Sequence, residues 1–144
     1  MSAEDEVRSA SERFYLALNR MLDGDAGPMN EIWLHSDTVT TMNPVGGREV
    51  GWQSVGNFWL RASKLFSNGH VELRDQLIQV TGDMAYEVGV ETGQATLAGR
   101  QVPVEHRVTN VYRRQAGGWK MVHHHTDLSQ AMQEIARDPQ AAGR

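Results

Sequence analysis

From His70 to Asp127 the chain reads as four extended runs separated by short turns, and this pattern narrows the fold more than any other feature. Val71 and Leu73 alternate with polar neighbours. Thr81-Gly82-Asp83 then turns the chain into a run at 84–92, Gly99-Arg100 into one at 101–114, and Ala116-Gly117-Gly118 into one at 119–127. Turns this short place each strand beside its predecessor, which makes an antiparallel meander.

Before the meander the period is helical. Val7, Ala10, Phe14, Leu18 and Met21 share one helix face, with Ser2 and Asp5 spaced as a capping box and Gly24 as the stop. Pro28 suits the start of a short second helix carrying Met29, Ile32 and Trp33. The β-branched stretch 38–42 predicts a strand, and Asn43-Pro44-Val45-Gly46-Gly47 must turn. Trp52, Val55, Trp59, Ala62 and Phe66 predict a third helix, with Gly69 as its C′ residue. Helices followed by a meander imply an α+β layer protein. One domain is expected over 1–130, with 131–144 a tail that is partly ordered at most and touches the body through Met132 and Ile135.

Composition removes several function classes. A net charge of −4 argues against nucleic acid as a partner, because phosphate binding needs a basic surface. Cysteine is absent, so disulfides and thiolate metal sites are excluded. No apolar run approaches the roughly 20 residues that span a bilayer, so no membrane partner is expected. The N-terminus MSAEDEVRSASERF has no signal-peptide core, and a cytoplasmic chain is expected.

Two local patterns bear on assembly and chemistry. In the run 101–113 the even positions are largely apolar, and the odd positions mix charge with Thr and Val. An apolar sheet face beyond what the helices need predicts a homodimer through the sheet. The triplet His123-His124-His125 invites a metal reading, but successive strand residues alternate faces. Two strand histidines would need a third ligand, with His106, His35 or Asp37 as the candidates, and no spaced metal motif occurs. No metal and no cofactor are expected. Either His124 or the pair His123 and His125 faces the interior. Glu87 and Glu91 share strand parity, which makes a carboxylate base a candidate there.

Three stretches carry a resemblance: RFYLALN at 13–19 with DGD at 23–25, TVTTMNPVGG at 38–47 with GW at 51–52, and RVTNVYRR at 107–114 with GGWKMVHHHTD at 117–127. Together they resemble the SnoaL-like branch of the nuclear transport factor 2 superfamily and are similar to the calcium/calmodulin-dependent kinase association domain. The resemblance spans about residues 7–129 and implies a cone: a strongly curved, mostly antiparallel sheet around N-terminal helices, with a pocket on its concave side.

Steroid isomerases of this fold carry a catalytic Asp where this chain has Asn43, a hydrogen-bonding Tyr where it has Phe14, and a second donor Asp where it has Thr109. An amide cannot act as a general base at neutral pH, so ketosteroid isomerase activity itself is not expected. That comparison also favours Val122, His124 and Thr126 as the inward side of the last run. The kinase association domain has pocket arginines matching Thr109 and, loosely, Glu91, which implies that Arg107, Thr109 and Glu91 line the concavity. Arg107 would there bind an anion or pair with Glu91.

Trp52 is the aromatic expected to meet a ligand at the cone's mouth, while Trp33 and Trp59 are expected in the core. The resulting expectation is a pocket for a small, partly apolar molecule built around Trp52, Glu91, Arg107, Thr109 and Asn43. Its catalytic candidates are Glu91, Arg107, His123, His124 and His125, for cofactor-independent acid–base chemistry of isomerase, dehydratase or cyclase type. The alternative is a non-catalytic dimerisation or ligand-sensing module.

Overall fold

The computed structural model describes residues 1–138. Helix α1 (Ala3–Met21) starts at a reciprocal capping box: Asp5 N–H donates to Ser2 Oγ at 3.1 Å and Ser2 N–H to Asp5 Oδ2 at 3.3 Å. Its stripe Val7, Ala10, Phe14, Leu18 and Met21 is buried. Short α2 (Met29–Ile32) follows, then strands β1 (Thr40–Met42) and β2 (Arg48–Val50), and α3 (Trp52–Leu65), which buries Val55, Trp59 and Ala62. The meander is β3 (Phe66–Thr81), β4 (Met84–Leu97), β5 (Arg100–Gln115) and β6 (Gly118–Thr126). Helix α4 (Gln130–Arg137) falls where the tail was expected and buries Met132 and Ile135 in the core; residues 139–144 of that expected tail lie outside the described residues.

The six strands form one sheet in the order β2-β1-β6-β5-β4-β3, curled around the helices. Among the described strands, β1 and β6 are the one parallel pair. Three register shifts decide which side chains face inward. One lies in β3 between Ser67 and His70, a second between Arg74 and Leu77, where Asp75 has φ +58°, and a third lies at Val111/Tyr112, opposite Val122 of β6. Each extra residue reverses the alternation. In β3 the inward set passes from Val71 and Leu73 to Gln76 and Ile78, and in β6 from Trp119 and Met121 to His124 and Thr126.

Two expectations are corrected. Gly69 does not cap α3: the helix runs directly into β3, and Gly69 sits in the strand, where a Cβ would come within 2.6 Å of Leu22 Cβ. The apolar even positions of β5 are not a spare surface. Val102, Val104, His106, Val108, Asn110 and Tyr112 are all buried, and Val102, Val104 and Tyr112 share one core with Phe14, Val55 and Trp59. The chain's own helices use that face, so it cannot also meet another subunit.

Candidate active site

The concave face carries a band of polar side chains that the strand register assembles. Ala98 and Gly99 form a two-residue turn, both with positive φ, so Leu97 pairs with Arg100 and every odd residue of β4 faces an even residue of β5. Glu91 is thereby opposite His106, Glu87 opposite Asn110, and Asn110 opposite His124 on β6. Cross-strand neighbours on one face are close enough for their side chains to bond.

His106 Nε2 lies 2.8 Å from Glu91 Oε1, and Tyr15 Oη donates to Glu91 Oε2 at 2.9 Å. Asn110 Nδ2 donates to Tyr15 Oη at 3.1 Å and to Glu87 Oε1 at 2.9 Å, while Asn110 Oδ1 is 2.7 Å from His124 Nδ1. Tyr112 Oη and Gln76 Nε2 also donate to Glu87. Glu87, Glu91, His106, Asn110 and His124 are all buried.

Burial alone would push the Glu91 carboxyl up. The hydrogen bond from His106, the neighbouring imidazoles and the hydroxyl of Tyr15 outweigh it, and Glu91 stays below the ordinary carboxylate value. An ionised Glu91 only accepts, so His106 Nε2 carries the hydrogen and Nδ1 is left as its basic atom. Burial drives His124 down to about 4, against the pull of Glu91, so this ring is neutral at pH 7. Burial, with Glu91 nearby, pushes the Tyr15 phenol well above its usual value, so its proton stays in place.

The depressed His124 has a consequence for stability. The unfolded chain takes a proton on this residue near pH 6.5, which the folded chain refuses until about pH 4. Folding stability is therefore highest above pH 6.5 and falls towards pH 4, by about 3 kcal/mol from this residue alone. Glu91, also depressed, adds a loss of the same sign at the acid end. Thermal midpoints at pH 7 and pH 5 should show the fall, and His124→Leu should flatten it. An unchanged slope in the variant would mean that His124 titrates freely.

Glu91, His106 and His124 border a cavity of about 50 Å³ beneath α3, the 43–47 loop and α4. Asn43 is its fourth polar member, and the remaining lining, including Phe58, Trp59, Val71 and Met132, is apolar apart from the Trp59 indole N–H. Among the described residues, two buried donors in this lining have no partner, Asn43 Nδ2 and Trp59 Nε1. Thr41 Oγ1 donates to Asn43 Oδ1 at 3.0 Å, which turns the amide NH₂ away from Thr41.

The SnoaL-like domain family model matches residues 7–132. The chain belongs to the SnoaL-like domain family. Among solved structures, this SnoaL-like domain is similar to a candidate dehydratase of the NTF2-like family from Streptomyces avermitilis (24% identity over 89% of this chain and 97% of that one, TM-score 0.78). It is also similar to a candidate calcium/calmodulin-dependent protein kinase type II association domain from Thiobacillus denitrificans (25%, 85% and 94%, TM-score 0.69). A third likeness is to a candidate ketosteroid isomerase from Shewanella frigidimarina (19%, 88% and 98%, TM-score 0.67). No protein with a curated description matches.

The SnoaL-like domain places only part of the expected site in its cavity. Glu91, Asn43 and His124 are there. Arg107 is not: it lies on the convex face, with its side chain 84% exposed and paired to Asp127 at 2.8 and 2.9 Å. Its place beside Glu91 is taken by His106, because the odd-to-even register sends Arg107 outward opposite Val90. Thr109 lies on the same convex face, opposite His125. His125 is exposed, and His123 bonds Thr40 Oγ1 through Nδ1 at 2.6 Å, so neither joins His124. Trp52 stacks on His35 at 4.4 Å over a separate outer groove, and Trp59 is the tryptophan at the cavity. Among the described residues, no three His, Asp or Glu side chains gather to hold a metal ion, and no helix is long and apolar enough to cross a membrane.

Sequence reasoning missed Tyr15 and Asn110, and read His106 as part of a largely apolar stripe and as a possible third metal ligand, not as the partner of Glu91. The two-residue turn at 98–99 was the available signal, since it alone pairs Glu91 with His106. Tyr15 follows Ser11 by one helical turn at the edge of the buried stripe, a weaker sign.

Proposed function

We propose that this SnoaL-like domain takes a small, partly apolar carbonyl compound into the cavity and moves a proton on it by acid–base chemistry without a cofactor. The observation that carries this is a set of unmatched groups in one apolar enclosure. Among the described residues, Asn43 Nδ2 and Trp59 Nε1 are donors without acceptors, while His106 commits Nε2 to Glu91 and His124 commits Nδ1 to Asn110, each leaving its other ring nitrogen for a ligand. An unpaired buried donor costs about 1–3 kcal/mol, which a ligand oxygen would recover.

The geometry supports a sequence of steps. His106 Nδ1 removes a proton from the carbon next to the carbonyl, and the electron pair moves onto the carbonyl oxygen, held by Asn43 Nδ2. Glu91 behind the ring fixes its tautomer and stabilises the imidazolium that forms. The imidazolium then returns the proton, either to a departing β-hydroxyl in a dehydration or to another carbon in an isomerisation. The cavity's size limits the substrate to a small molecule or the reacting end of a larger one, since drug-sized pockets run from about 300 Å³ upward.

A thermal-shift screen against small ketones, β-hydroxyketones and enones tests the reading. Stabilisation by one class, lost in His106→Leu and kept in Arg107→Ala, is expected. No shift with any class, or equal loss in both variants, would refute it. Binding without turnover would point to the ligand-sensing alternative.

A second copy of the chain is proposed on the convex face, not the concave one. Leu77 and Tyr86 are exposed there, beside the partly buried Val88, Val90 and Val111. Light scattering at micromolar concentration should give a dimer mass, and a monomer mass would sink this proposal.

A further inference from the structure

The polar band does more than fill space between strands. Arg8 Nη1 donates to Gln76 Oε1 at 2.6 Å. A guanidinium only donates, so this contact fixes which way the Gln76 amide points. Gln76 Nε2 therefore faces Glu87 Oε2, at 2.6 Å. Glu87 Oε1 accepts from both Tyr112 Oη and Asn110 Nδ2. The same Asn110 nitrogen donates to Tyr15 Oη, whose own hydrogen is spent on Glu91.

The Asn110 amide is thus clamped from two sides. Turning it over would set its oxygen against a carboxyl oxygen of Glu87 and against a phenol oxygen with no hydrogen to give. Asn110 Oδ1 is left facing His124 Nδ1, which must then carry the hydrogen. A neutral ring protonated at Nδ1 has its lone pair at Nε2.

We infer that Asn110 is a positioning residue that holds His124 in the Nδ1–H tautomer, so that Nε2 is a bare acceptor in the cavity alongside His106 Nδ1. Given the proton-transfer reading above, on which this use of the nitrogen rests, the ligand is one that brings a hydroxyl hydrogen to Nε2 and an acceptor oxygen to Asn43: a small hydroxycarbonyl compound. Through Tyr15 the same amide ties His124 to Glu91, so the two histidines of the cavity are set by one shared network. Glu87 and Gln76 serve it from outside the cavity lining.

The test reads the tautomer directly in the protein without ligand. ¹⁵N-histidine-labelled protein at pH 7, with His124 assigned by its loss in His124→Leu, should show a protonated Nδ1 and a bare Nε2 in long-range ¹H–¹⁵N correlations. A protonated Nε2, or an imidazolium, overturns the inference whatever any variant does. Asn110→Leu removes the acceptor and should move the proton to Nε2. If that variant fails to fold, Asn110→Asp keeps an acceptor in place and should keep the Nδ1 signature. Retention of the wild-type tautomer in folded Asn110→Leu, or its loss in Asn110→Asp, would show that Asn110 does not set it. These results are separable from the fate of the proposed function, because a correct tautomer with no ligand in the screen leaves the inference standing and the function refuted.

Discussion

Glu91→Ala should lower the unfolding free energy by about 2–6 kcal/mol, the cost of leaving two buried donors unpaired at about 1–3 kcal/mol each. Both Glu91 oxygens are engaged, by His106 and Tyr15, and the His106 and Glu91 side chains are only 5% and 4% exposed. Truncation strands a buried hydroxyl and a buried imidazole N–H and opens a void beside the cavity. Denaturant unfolding followed by the fluorescence of the four tryptophans would measure it. Glu91→Gln keeps the volume and should lose less. The double variant Glu91→Leu/His106→Leu should be more stable than Glu91→Ala, because an apolar pair fills the void and leaves no imidazole N–H unpaired. If the double variant were the weakest of the three, the pair would be a net source of stability rather than a functional feature that the fold tolerates.

Gly93→Ala is the second large effect, and its cause is the backbone. Gly93 pairs with Val71 just past the first β3 bulge, at φ +152°, where a Cβ would fall 1.9 Å from His70 O and 2.9 Å from His70 C. Those atoms belong to a paired strand and cannot rotate away, so a loss of about 3 kcal/mol or more is expected. Gly82→Ala is the control. It shares a positive φ of +59° but has nothing within 4 Å of the added carbon, so about 1 kcal/mol should be lost. Equal losses at both sites would show that conformation alone, not the close approach of strands, requires glycine at 93.

These two positions mark where the sequence was legible and where it was not. The α1 stripe, the turn at 43–47 and the meander follow from periodicity and turn residues, because each is a local property. The inward set of a bulged strand is not local. Reading β6 by strict alternation puts Trp119, Met121, His123 and His125 on one side, whereas the shift beside Val122 places Trp119, Met121 and His124 together. The Gln76 side chain reaches Glu87 only because the shift at Asp75 reverses β3. Arg107 was misplaced for a related reason: its parity was taken from a resemblance, and the Ala98-Gly99 turn sets the opposite one. A charged residue on an alternating strand is a weak guide to the interior. A buried His–Glu pair needs two strands in known register before it can be seen.

The most direct measurement is deuterium uptake, in D₂O, at the carbon next to the carbonyl of compounds that stabilise the protein. If Glu91 and His106 form a proton-transfer site, exchange should run roughly 10²–10⁴-fold above the solvent rate with the wild type and fall towards it in His106→Leu and Glu91→Gln. Arg107→Ala should behave as wild type. Bound compounds that exchange no faster than in solvent would contradict the acid–base role and leave a cavity that only binds.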